Sequence, residues 1–196
     1  MSILLVSLAL ALSAPPAAQA TPRPAPAGSS GAAGRATLLS PEQVNKLLPS
    51  AVFFRGQTAP LQLRNAAAAR FPDGAILFAS LVDTSGYSTG VRERYQFYLV
   101  TEAALSVGEK TLAPGAYGAG FLEDGSFVIM DIGGHDVLLS HTQHDDAMNR
   151  PRPLQLLAGS AAQELRLYLG RSFVVLRRGS REGVDTAQAQ PSRPGL

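Results

Sequence analysis

The chain has 196 residues, a formal net charge of +2 and no cysteine. Disulfide bonds, thiolate metal sites and a cysteine nucleophile are therefore excluded. Residues 36–176 carry 11 basic and 13 acidic side chains, so the excess of arginine lies in the flanking segments. A folded nucleic-acid groove would need its arginines on the domain itself, so no nucleic-acid partner is predicted.

The first twenty residues have the layout of a secretory signal peptide. An apolar run over residues 3–12 is broken by Ser13 and two prolines, and the small-x-small motif Ala18-Gln19-Ala20 comes next. The run is shorter than the roughly twenty residues that a bilayer-spanning helix needs, and no later run reaches that length. We expect cleavage near Ala20, a periplasmic or secreted location, and no integral membrane segment.

The rest of the chain divides into three predicted segments. Residues 21–36 form a disordered Pro/Ala/Gly spacer, residues 37–178 a β domain, and residues 179–196 a disordered basic tail. A domain of this size can bury one hydrophobic core.

A short helix is predicted at the start of the domain. Ser40 is a favourable N-cap, Pro41 suits the first helical position, and Gln43 completes a capping box. Apolar residues from Val44 to Leu48 then share one face, and Pro49 ends the helix. This face should pack on the β core.

Short strands are predicted for most of the remaining domain. Residues 75–82 form a nearly unbroken apolar run and should be a central strand, whereas residues 92–101 place Tyr95, Phe97 and Leu99 on one face. Shorter candidates lie at residues 51–55, 61–64, 137–140 and 154–157, and residues 56–60 are predicted to form a turn.

Two hairpins are predicted from their turn residues. Asp124-Gly125 suits a type I′ turn between residues 116–122 and 127–132, and Gly170-Arg171 suits a type II′ turn between residues 164–169 and 173–176. A helix over residues 161–169, capped by Ser160, is the alternative, but the strict alternation from residue 164 favours a strand.

These elements predict an all-β fold, a small antiparallel barrel or sandwich of about eight or nine short strands with one short N-terminal helix. Gly118 and Gly120 share one strand face, where a glycine lets the strand bend or another group approach the backbone. The glycines favour the barrel slightly.

Residues 111–149 have an unusual charge pattern. They contain all three histidines and six carboxylates but no lysine or arginine. Imidazole and carboxylate without a competing cation suit a divalent transition metal such as Zn²⁺, Cu²⁺ or Ni²⁺. The candidate ligands are His135, His141, His144 and Asp136, and the alternative is a solvated loop.

Asp131 is predicted to be buried, because it shares a strand face with Phe127 and Ile129. The Asp124-Gly125 register would place Gly118 opposite it. A buried carboxylate needs a partner such as Arg55 or Arg64. Alternatively, Asp131 faces a ligand.

Gly86-Tyr87-Ser88-Thr89-Gly90 matches the Gly-x-Ser-x-Gly pattern of serine esterases, which makes Ser88 a candidate nucleophile. That motif works only between a strand and a helix, and the helical spacing of Val91 and Tyr95 leaves a helix open after it. A domain of about 140 residues without alternating βα units is too small for the esterase fold.

The loop over residues 84–90 is polar and carries an aromatic residue, Tyr87, of a kind that often contacts ligands. The sequence therefore favours a non-enzymatic exported binding module for an unknown small-molecule or envelope ligand. Thr84, Ser85, Tyr87 and Asp131 are its candidate binding residues. The alternatives are a metal-binding protein and a small serine hydrolase.

Overall fold

The computed structural model describes residues 34–179. The predicted signal peptide, most of the predicted spacer and nearly all of the predicted tail lie outside the described residues. Fourteen strands and two short helices occur within them. The helices are α1 (Pro41–Leu47) and α2 (Thr89–Arg92). The strands are β1 (Thr37–Leu38), β2 (Ala51–Phe54), β3 (Gln57–Arg70), β4 (Ile76–Val82), β5 (Phe97–Thr101), β6 (Leu105–Val107), β7 (Lys110–Leu112), β8 (Gly115–Phe121), β9 (Ser126–Met130), β10 (Asp136–His141), β11 (Gln143–His144), β12 (Gln155–Ala158), β13 (Glu164–Leu169) and β14 (Ser172–Arg178).

The strands form two antiparallel sheets, which confirms the all-β class. The first sheet has the order β1-β3-β4-β5-β8-β9-β10, with β2 pairing β3, and the second has the order β12-β13-β14-β6-β7, with β11 pairing β14. Both orders are open at their ends, so the described residues do not form a closed barrel. The strand count exceeds the predicted eight or nine, because β1, β6, β7 and β11 have only two or three residues each.

The predicted capping box of α1 is confirmed. The Ser40 hydroxyl accepts a hydrogen bond from the Gln43 backbone N–H, and the Gln43 side chain accepts one from the Ser40 N–H. Val44 and Leu48 are buried as predicted, whereas Leu47 is 41% exposed. The helix therefore packs on the sheet through a narrower face than the sequence indicated.

The hairpin at Asp124-Gly125 has a longer loop than predicted. Phe121 pairs with Phe127, and Gly125 has a positive φ of 80° while Asp124 does not. A three-residue loop of this kind combines a type I turn with a left-handed glycine. The pairing slips by one residue, so Met130 rather than Asp131 lies opposite Gly118.

The second predicted hairpin is confirmed. Leu169 pairs with Ser172, and Gly170 has a φ of 63° while Arg171 stays in the usual negative range, as a type II′ turn requires. Residues 164–169 are a strand, so the alternative helix does not form.

Two predictions in the first half of the domain are wrong. Residues 56–60 do not form a turn, because the chain reverses at Arg55-Gly56 and β3 begins at Gln57. Residues 92–96 are not part of a strand either. They belong to α2 and the turn after it, and β5 begins only at Phe97.

Two hydrophobic clusters lie on opposite faces of the first sheet. In β9, Phe127 and Ile129 belong to the larger cluster, which contains residues of both sheets, while Val128 and Met130 belong to the smaller one with α1 and the β2–β3 hairpin. Gly118 accommodates the smaller cluster, since a Cβ there would lie 2.5 Å from Phe54 Cε2. The predicted close approach to the backbone of β8 is confirmed.

Candidate functional site

A cavity of about 780 Å³ lies between the segment after β4 and the tip of the β8–β9 hairpin. We call it the polar cavity, because charged and polar side chains form most of its wall. It is lined by Thr84, Thr89, Arg92, Glu93, Arg94, Gln96, Phe121, Leu122, Glu123 and Asp124.

The loop over residues 84–90 is fixed by its own hydrogen bonds and by Tyr87. Asp83 Oδ1 accepts a hydrogen bond from the Ser85 N–H at 3.1 Å, and the Tyr87 N–H donates to the Thr84 carbonyl at 3.0 Å. The Tyr87 hydroxyl donates to the Phe54 carbonyl at 2.9 Å, and Tyr87 is only 6% exposed. Tyr87 is therefore buried, and its ring anchors the loop to the smaller cluster.

Gln96 joins the turn after α2 to the end of β8. Its Nε2 donates to the Glu93 carbonyl at 3.2 Å and to the Phe121 carbonyl at 2.9 Å, while its Oε1 accepts from the Phe121 N–H at 2.9 Å. Gly120 lets the Arg94 carbonyl approach, since a Cβ there would collide with that oxygen. These contacts join the two segments that meet at the wall of the polar cavity.

The charged groups of the wall differ in their partners, and Asp124 Oδ1 accepts a hydrogen bond from the Ser126 N–H at 2.8 Å. Arg94 is held by Asp136, whose two carboxylate oxygens lie 2.5 and 2.7 Å from its Nη2. Within residues 34–179, the Arg92 guanidinium has the Thr89 hydroxyl, at 3.3 Å, as its one side-chain partner. Among the described residues, Arg92 forms no ion pair, and the carboxylates of Glu93 and Glu123 form neither an ion pair nor a side-chain hydrogen bond.

Of the predicted ligand-binding residues, only Thr84 lines the polar cavity. Asp131 is not buried as predicted, since its side chain is 44% exposed in the turn after β9. It pairs with neither Arg55 nor Arg64. It accepts a hydrogen bond from the backbone N–H of His135 and lies 3.0 Å from the His135 ring, and these two contacts hold the pKa of Asp131 below its ordinary value.

The predicted metal ligands are not brought together. His135 lies beside Asp131, His144 beside Asp146 at 3.4 Å, Asp136 beside Arg94, and His141 borders a separate surface depression. Within residues 34–179, no group of three or more histidine or carboxylate side chains is placed to hold a metal ion.

Ser88 lies at the N-cap of α2, which has only four residues, and its side chain makes no capping hydrogen bond. The preceding strand ends at Val82, so the sharp strand-to-helix turn of a nucleophile elbow does not form. Ser88 is also not part of the wall of the polar cavity.

The sequence did not indicate the charged wall of this cavity. Arg92, Glu93 and Arg94 were assigned to a strand, where alternate side chains would point to opposite faces. The alternative helix, indicated by the spacing of Val91 and Tyr95, is the interpretation that places these charges on a helical turn.

Comparisons of the chain with protein-family models, curated proteins and solved structures give no match. Within the described residues, neither helix has the length and apolar character needed to cross a bilayer.

Proposed function

We propose that the chain is an exported, non-enzymatic binding module and that the polar cavity holds a short peptide or a similar zwitterion. The observation that supports the proposal is that Arg92, Glu93 and Glu123 line one cavity without forming an ion pair among the described residues. A ligand with both an anionic and a cationic end would complement these charges.

The volume of the cavity and the hydrogen bonds that hold its wall favour binding. Its volume of about 780 Å³ lies within the range of roughly 300–1,000 Å³ that is usual for ligand sites. Tyr87 and Gln96 hold the wall in place before a ligand arrives, which reduces the ordering cost of association.

Each free charge suits one end of a peptide. A guanidinium can bind a carboxylate through two parallel hydrogen bonds, so Arg92 is assigned to the ligand's carboxylate. Glu93 and Glu123 come from the turn after α2 and from the hairpin tip, and they are assigned to an ammonium group. Thr84 and Thr89 contribute hydroxyls to the same wall.

Export is the other part of the proposal. The predicted signal peptide over residues 1–20 would be removed, which leaves Thr21 as the mature N-terminus. Mass spectrometry of the protein from an exporting host tests this, and recovery of intact Met1 would contradict it.

The ligand class can be tested by calorimetry on the mature chain. The probes are a mixture of tripeptides with free termini and the same mixture with acetylated and amidated ends. We expect the free peptides to bind at least tenfold more tightly, a difference of about 1.4 kcal/mol. Arg92→Ala should weaken their binding by a similar factor. Arg64→Ala is the matched control, because Arg64 is exposed on β3 and outside the cavity wall.

Equal binding of blocked and free peptides would overturn the assignment of the charged ends. The proposal also fails if neither mixture binds at millimolar concentration, or if Arg92→Ala and Arg64→Ala behave alike.

A further inference from the structure

A groove of about 550 Å³ lies on the surface where the edges of the two sheets meet. We call it the seam groove. It shares no lining residue with the polar cavity. It is lined by β1 and the start of α1, by residues 66–68 of β3, by residues 150–152, and by residues 154–157 at the start of β12.

Aliphatic side chains form a large part of the groove lining. Val44, Leu154 and Leu156 line it and are at least 95% buried, so the floor of the groove is formed by residues of the hydrophobic clusters. Leu38 is 40% exposed and Leu157 is 37% exposed in the same groove. Two large aliphatic side chains are thus left in contact with solvent beside a concave apolar surface.

Two arginines make part of the groove basic. Arg150 and Arg152 are in its lining, which contains no aspartate or glutamate, and neither arginine forms an ion pair within residues 34–179. Their segment is anchored, because the Arg152 carbonyl accepts the Gly170 N–H at 3.1 Å and the Met148 carbonyl accepts Arg171 Nε at 3.3 Å. The backbone that carries the two arginines is therefore anchored beside the aliphatic side chains, and both arginines are exposed.

The spacing of the two edge strands excludes a peptide strand that pairs with both of them at once. Cα atoms of β1 and β12 approach within 8 Å of each other. A strand paired with both would hold them about 9.6 Å apart, twice the usual interstrand spacing. An alkyl chain has no backbone groups to satisfy, so it can lie in the groove without separating the sheets.

From these observations we infer that the seam groove binds a single-chain amphiphile with an anionic head, namely a fatty-acid anion. The chain lies against Leu38, Leu157 and the apolar floor, where its burial is favourable by about 25 cal/mol per Å². The carboxylate pairs with Arg150 and Arg152. This inference is independent of the peptide proposed for the polar cavity.

The test is calorimetry of the full mature chain with dodecanoate below its micelle-forming concentration. Dodecyltrimethylammonium carries the same chain with a cationic head, and acetate carries the head group without the chain. We expect dodecanoate to bind at one site, the cationic amphiphile at least tenfold more weakly, and acetate not at all at the same concentrations.

Two sets of variants locate the site. The double substitution Arg150→Ala and Arg152→Ala should weaken dodecanoate binding at least tenfold, while Arg64→Ala, an exposed arginine on β3, should leave it unchanged. Leu157→Glu should also weaken binding, because it places a carboxylate beside the bound chain. The far-ultraviolet circular dichroism of each variant checks that it remains folded.

Three results would overturn the inference. They are equal affinity for the anionic and cationic amphiphiles, no effect of the double arginine substitution, and no dodecanoate binding up to 1 mM, a binding free energy of only about 4 kcal/mol.

Discussion

Two neighbouring phenylalanines in β2 have opposite environments. Phe53 is 56% exposed, whereas Phe54 is fully buried and stacks on Tyr95 with ring centroids 3.8 Å apart. Phe54 also covers Gly118 of β8. Truncating each phenylalanine in turn therefore compares a buried side chain with an exposed side chain of the same kind in one strand.

Phe54→Ala should lower the free energy of unfolding by about 3–5 kcal/mol, because it leaves a cavity in the smaller hydrophobic cluster. Phe53→Ala removes an identical side chain from the solvent side of the hairpin and should change stability by less than about 0.5 kcal/mol. Urea denaturation of both variants measures the difference. A large loss in Phe53→Ala would show that another surface covers this face.

Single side chains were the hardest feature to predict from the sequence. A slip of one residue in a hairpin register moves each side chain to a different partner. The three-residue loop at Glu123–Gly125 causes such a slip, so Met130 takes the position assigned to Asp131. Tyr87 was misplaced for another reason, since its contact with Phe54 joins residues 33 positions apart.

At the scale of single elements, the β2–β3 hairpin depends on a turn that only some residues tolerate. Arg55 and Gly56 both have positive φ values, 48° and 84°. A residue that carries a Cβ lowers the stability of the fold by roughly 1–2 kcal/mol when its backbone lies in this left-handed region. The turn sets the position of Phe54 above the first sheet.

Gly56→Ala should therefore destabilise the protein by about 1–2 kcal/mol, and Gly56→Asn should cost less, because asparagine tolerates the left-handed region. Gly90→Ala is the matched control. Gly90 lies in α2 with a negative φ and no atom within 4 Å of a built Cβ, so the change should be neutral or stabilising by up to about 1 kcal/mol. Thermal unfolding measures all three, and equal losses at both glycines would contradict the turn geometry.

Elements specified by local sequence could be predicted, and those specified by distant pairing could not. The capping box of α1 and the Gly170-Arg171 turn lie within four residues, and both are confirmed. The second half of β3 contains four consecutive alanines, which have low strand propensity. That segment is a strand because it pairs with β4 on one side and with β1 on the other.

At the scale of the whole molecule, the candidate site depends on contacts that no local pattern contains. The polar cavity forms because Gln96 joins the turn after α2 to β8, 25 residues further along the chain. The sequence did indicate the all-β class and a polar loop after β4. It could not indicate which charges would meet, because this requires the order of the strands.

Two carboxylates connect the C-terminal strand to the rest of the fold. Asp73, in the turn between β3 and β4, pairs with Arg178 of β14, and Glu164 of β13 pairs with Arg177 at 3.0 Å. Burial raises the pKa of each carboxyl. Hydrogen bonds from the arginines and from the backbone N–H groups of Ala75 and Ser160 outweigh this effect, so the net pKa values lie below the ordinary 3.8 and 4.5.

A carboxyl whose pKa is lowered by folding stabilises the native state above its unfolded pKa, and this contribution is lost as the pH falls through the folded value. We therefore expect the free energy of unfolding to decline below about pH 4.5, the ordinary value for Glu164. The steepness of this decline is the acid slope of the free energy of unfolding. The double substitution Asp73→Asn and Glu164→Gln should reduce the acid slope by at most about 1.4 kcal/mol per pH unit for each carboxylate removed. Glu42→Gln, an exposed carboxylate of α1 with no ion pair among the described residues, is the control. Urea denaturation between pH 3 and pH 7 measures the slope, and an unchanged acid slope in the double variant would show that these two pairs do not couple protonation to folding.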